Sequence, residues 1–182
     1  MTDVIIVLLL GGAFLLGFFQ GVIRSLLAIA AWFVAFVLAA NLRGPVGDWL
    51  SGQWLQYTPA YNAMVAFGVV ALVIFVTAVI VIQVGTRGVA TFSRYPLLDD
   101  VIGGLLGIVL AVLLLAALIV VLASFYAAGP TSGGIENTEW TAGLHRTLQD
   151  SAIGRLVRDS LVPGLGAVLS VLLPEDIRNV MR

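Results

Sequence analysis

The sequence predicts an all-α membrane protein with four transmembrane helices and an amphipathic helical C-terminal tail. Three observations carry this. The 182-residue chain is 60% hydrophobic and only 10% charged, against about 25% charged residues in soluble domains, and its mean hydropathy is +1.09. Its apolar blocks, Val4 to Ala40, Asn62 to Val84 and Val101 to Phe125, are each long enough for the ~20 residues that cross a hydrocarbon core. From Ala127 onward Gly, Pro, Ser, Thr and charged residues become frequent. The chain therefore divides into a spanning domain, 1–126, and a tail, 127–182.

The first block is too long for one crossing. From Val4 to Ala40 a straight helix would measure about 56 Å at 1.5 Å per residue, against a hydrocarbon core of about 30 Å. Its polar interruption is Gln20-Gly21-Val22-Ile23-Arg24-Ser25. Two spans are expected, Asp3 to Phe19 and Leu26 to Asn41, joined by a tight hairpin. Arg24 then lies at the turn and snorkels to headgroups, avoiding the roughly 2.5–3.5 kcal/mol that an arginine costs at a helix centre.

Leu42 to Tyr61 contains Gly44, Pro45, Trp49, Trp54, Tyr57 and Tyr61. Aromatic residues of this kind collect at headgroup level, and two readings are open: a short interfacial helix around Asp48-Trp49-Leu50 and Trp54-Leu55, or an irregular loop. The third span runs from Asn62 to Val84, with a helical extension towards Arg87 and Arg94. Pro96 marks a stop, and Asp99 or Asp100 caps the fourth helix, Val101 to Phe125, where the dipole favours a carboxylate. In the tail, Leu144, Leu148, Ile153, Leu156, Val157 and Leu161 recur at spacings near three and four, an amphipathic helix. The apolar run between Pro163 and Pro174 is too short to span.

Several functions find no support. The chain has no cysteine, hence no disulfide, thiolate metal site or cysteine nucleophile. All nine cationic residues are arginines, scattered along a chain of net charge −1, so no basic field for nucleic acid exists. No G-x-S-x-G, phosphate loop or H-E-x-x-H occurs. His145, with Asp150, Ser151 and Ser160 nearby, sits on one short segment that cannot supply triad geometry and an oxyanion hole. A protein without catalytic residues, cofactor or metal is expected.

Two sets of residues stand out. Gly17 and Gly21, like Gly103 and Gly107, are four apart on one helix face, where a second backbone can come close, inside the monomer or across a dimer. Arg24, Asp99 and Asp100 are ionisable groups near the membrane: either Arg24 pairs with one of the aspartates or all three act as separate anchors and caps. Arginines near the span ends number three in the first and third connections and one in the second. The positive-inside rule then places the first and third connections in the cytoplasm and both termini outside. The N-terminus has no positive n-region, so the first segment is read as a retained span.

Asp3 opening the first span, the turn with Gly17, Gly21 and Arg24, and "LLDDVIGGLLG" with Asp99, Gly103 and Gly107 together resemble the colicin V production protein family over Met1 to Phe125. The resemblance implies a bacterial inner-membrane protein involved in toxin (colicin V) production or export, or in envelope homeostasis. It would act through the bilayer and through contacts with envelope proteins or its own copies. Similar four-span modules also head membrane-anchored periplasmic serine proteases, so a membrane anchor for a periplasmic partner is an alternative. A small-solute transporter or channel formed by oligomerisation is another, although the apolar cores of spans two to four offer little polar beyond Thr77 and Gln83.

Overall fold

The computed structural model describes residues 2–55, 57, 59–86, 96–126, 143, 147–148 and 150–169. Among them there are helices and no strands: α1 (Thr2–Gln53), α2 (Pro59–Gly85), α3 (Pro96–Tyr126), α4 (Ala152–Leu156), a π-helical turn (Val157–Leu161) and α5 (Val162–Leu169). Three of these, α1 to α3, are long and apolar enough to cross a membrane. The expected four spans become three helices because the first two expected spans fall within α1, which is helical on both sides of one non-helical residue, Gly21. The extension towards Arg87 and Arg94, the tail loop from Ala127, Leu144, His145 and the segment reaching Pro174 lie outside the described residues.

The chain forms two compact units, residues 1–35 with 73–114, and residues 36–72 with 115–182. In the first, α1 buries Ser25, Ala28, Trp32 and Ala35, three or four residues apart, and α3 buries Gly103, Gly104 and Gly107. Apart from buried Ile6 and Trp32, many large aliphatic and aromatic side chains point outward: Leu8 is 70% exposed, Phe19 79% and Leu97 70%. Small residues inside and large apolar ones outside is the arrangement that lipid selects, since tails solvate Leu and Phe while close backbone packing gains dispersion contacts.

In the second unit, Phe36 and Phe67 meet edge to face at 5.5 Å between ring centroids, and Ala39, Ala40, Ala66, Ala116 and Val120 are almost fully buried. Leu42 to Gln53, expected as loop or separate interfacial helix, instead continues α1, with Pro45 inside it. Proline is tolerated in membrane helices where neighbouring structure satisfies the backbone it frees. Here close packing holds the helix beyond it: a Cβ on Gly47 would lie 2.9 Å from the Ala63 Cα. Trp49 and Leu55 remain exposed.

The end of α1 is tied to the start of α2 by Asn62, which is fully buried. Its Nδ2 donates to Ser51 Oγ at 3.1 Å and to the Trp54 carbonyl at 3.4 Å, while Ser51 Oγ donates to the Gly47 carbonyl at 2.9 Å. Among the described residues the Asn62 Oδ1 has no hydrogen-bond partner, yet turning the amide over would aim that oxygen at the Trp54 carbonyl. Tyr57 and Tyr61 stack beside this junction at 4.9 Å.

Pro96 begins α3, a position where its missing N–H costs nothing and its φ is pre-set. One sequence expectation needs correction here. In the tail, the predicted stripe does not form one buried face: Leu148 and Val157 are buried, but Leu156 is 65% and Leu161 40% exposed. The phase shifts because Ser151 is extended and caps α4, its hydroxyl accepting from the Gly154 N–H at 3.1 Å. Gly154 then packs against the Leu148 carbonyl. The π turn that follows sets the Val162 N–H on the Val157 carbonyl, one residue before Pro163, whose ring would collide with a carbonyl in uninterrupted α-helix.

Asn62→Ala deletes both amide hydrogen bonds at the α1–α2 junction and should destabilise the protein by about 1–3 kcal/mol. A lowered thermal unfolding midpoint in detergent is expected. An unchanged midpoint would contradict this role.

Candidate functional site

Gly21 is the centre of the first unit. Its φ of 75° and ψ of 175° lie in a region open essentially to glycine alone. A helix broken there leaves the N–H groups of the next segment without partners. Asp99, in the first turn of α3, supplies one: its Oδ1 accepts from the Val22 N–H at 3.1 Å. A carboxylate suits this position because the helix N-terminus carries partial positive charge. A Cβ on Gly21 would lie 2.6 Å from the other carboxylate oxygen of Asp99, so the residue that permits the kink also leaves room for the cap.

The glycines named from spacing come together around this point. A Cβ on Gly17 would strike the Gly103 carbonyl and lie 2.9 Å from the Gly107 Cα. One on Gly103 would lie 2.8 Å from the Gly21 carbonyl carbon, and one on Gly107 would strike the Ala13 carbonyl. These are backbone neighbours that cannot rotate away. Gly104 is covered differently, by the ring of Phe14. Beyond the kink, Ser25 Oγ donates to the Gly103 carbonyl at 3.3 Å. Gly17 and Ser25, on opposite sides of Gly21, thus meet the same peptide unit of α3.

Arg24 forms no ion pair with Asp99 or Asp100. Its Nε donates to Thr86 Oγ1 and its Nη2 to the Thr86 carbonyl, both at 3.0 Å. Thr86 directly follows α2, and its own hydroxyl donates to the Ile82 carbonyl at 2.7 Å. The guanidinium therefore satisfies the carbonyl end of α2, where the helix dipole favours a cation. Asp99 is already engaged by Val22, and half-buried Asp100 makes no hydrogen bond or ion pair among the described residues. Charge matching overlooked Thr86 because it is neutral; the available signal was its place just after an apolar run, where unpaired helix carbonyls collect.

The result is a clasp: the segment after Gly21 holds the start of α3 through Asp99 and Ser25, and the end of α2 through Arg24. Its polar groups are spent on one another. Among the described residues no three His, Asp or Glu side chains come together as metal ligands would. Thr77 and Gln83 are exposed on α2.

Ammonium cannot reproduce the fork that grips both oxygens of Thr86. Arg24→Lys and Thr86→Val should each lower the unfolding midpoint, and the double variant should lose less than their sum, with a coupling of about 0.5–1.5 kcal/mol. Strict additivity would show that the two residues do not act together.

Comparison with known proteins gives a match to the family model for colicin V production protein over residues 2–159. No curated protein matches the chain, and no solved structure does.

Proposed function

The chain belongs to the colicin V production protein family, and from that premise we propose that it is a four-span assembly module of the bacterial inner membrane, acting by protein contact and not by catalysis. Its role lies in colicin V production or export, or in envelope homeostasis. The observation that carries this reading is the backbone-to-backbone glycine contact stapled by Asp99 and Arg24, which commits these two charged side chains to holding helices together.

Four crossings are favoured by length and by the bend. As one straight rod the 52 residues of α1 would reach about 78 Å, more than twice a hydrocarbon core of about 30 Å. The meeting of Gly17 and Ser25 at Gly103 suits two crossings joined at Gly21. The three-to-one arginine asymmetry supports a Gly21 turn inside and both termini outside.

Two measurements test this reading. Alkaline phosphatase fused after Arg182 should be active, and a fluorescent protein fused there should be dark; the reverse would overturn the orientation. Deleting the gene should reduce colicin V release or weaken the envelope barrier. Wild type should restore the loss, whereas Gly107→Leu, overpacked by about 1–3 kcal/mol, should not. Normal release and an intact barrier in the deletion strain would overturn the functional reading.

A further inference from the structure

The first unit contains a cavity of about 230 Å³ beside the glycine contact, open along part of its wall. Its lining comes from α1 on both sides of Gly21, from α2 at Phe75 and Val79, and from α3 between Gly107 and Leu114. Engineered apolar cavities of about 150 Å³ stay dry and take up hydrocarbon, so this one has room for several methylenes. Its lining is of two kinds. Leu110, Leu114 and Phe75 make an apolar wall, whereas Gln20 and Ser25 supply polar atoms.

Ser25 has already given its proton to the Gly103 carbonyl. The carboxamide of half-buried Gln20, a lining residue, makes no hydrogen bond to another described residue, so its donor is available to a ligand in an otherwise largely apolar space. No ionisable side chain lines the cavity, so a charged group entering it would go uncompensated, while a neutral acceptor would satisfy the amide. Leu16 and Leu114, both lining residues, are themselves 64% and 43% exposed on the outer face of the unit. Entry is therefore from the side on which lipid chains lie.

We propose that this cavity holds one acyl chain of a membrane lipid, with the ester carbonyl accepting from the Gln20 amide and the methylenes lying along Phe75, Leu110 and Leu114. A bound chain fills the space next to Gly107 and so stiffens the clasp from within.

The test uses the full chain in vesicles of phosphatidylethanolamine and phosphatidylglycerol containing a trace of phosphatidylcholine with a photoreactive diazirine on one acyl chain. After illumination, labelled residues are mapped by mass spectrometry. Label should concentrate on the cavity positions, Phe75 and 110–114, above the level on lipid-facing Val81 and Leu105. Ala111→Phe, which fills the space, should bring the cavity signal down to that outer level. Gln20→Leu should lower it about threefold to tenfold, the factor carried by one hydrogen bond. Even labelling of the cavity and the outer faces would overturn the proposal. So would a cavity signal that survives both substitutions; the Gln20 variant decides alone if the Ala111 variant does not fold.

Discussion

At Gly21 the backbone takes φ 75° and ψ 175°, and the polar contacts that the next turn of α1 makes with α2 and α3 answer that one departure from helix. The break frees the Val22 N–H, which Asp99 accepts. It turns Arg24 towards the end of α2, whose last carbonyl and hydroxyl it fills, and it brings Ser25 onto the peptide that Gly17 also meets. In a hydrocarbon setting each unsatisfied backbone group costs several kcal/mol. A break in a long apolar helix is therefore stable only where other elements supply the partners, and here α2 and α3 do.

The glycine contact has the same logic in reverse. Among lipid tails no solvent drives apolar side chains together, so association depends on close packing and internal hydrogen bonds. Gly17, Gly103 and Gly107 let carbonyl and Cα atoms touch where any side chain would hold them apart. Leu8, Phe19 and Leu97 stay on the outside, where their bulk costs nothing. A protein built this way offers its surroundings a largely apolar surface, and Asp99, Arg24 and Ser25 are used between its own helices.

Much of this was legible in the sequence. The sole polar interruption in Val4 to Ala40 marked the bend, and four-residue spacing marked the glycines that meet. Other features were not, for identifiable reasons. Arg24 was read either as the partner of a carboxylate or as a separate anchor, but a helix end offers carbonyl oxygens that charge counting does not register, and Thr86 supplies two acceptors at once. Asp99 looked like a cap for its own helix, yet its bond goes to a residue 77 positions away. Gly44 and Pro45 read as a loop because local preference is all that a sequence displays; packing of Gly47 on Ala63 overrides it. Asn62 looked like the polar boundary of a span and is instead fully buried, with its amide bridging Ser51 and Trp54. The tail stripe lost its phase at Ser151, whose switch from helix to cap is invisible to a count of apolar spacings.

The clasp depends on the bend at Gly21. The chain has no cysteine, so a pair can be introduced cleanly. Ala13 and Ala28 line one cavity of about 230 Å³, although on an unbroken helix they would be about 22 Å apart. Ala13→Cys with Ala28→Cys, treated in vesicles with a short bis-maleimide, should form an intramolecular crosslink in high yield. A chain in which both thiols react singly and never join would mean that α1 continues straight through Gly21, contradicting the clasp and the contacts that depend on it.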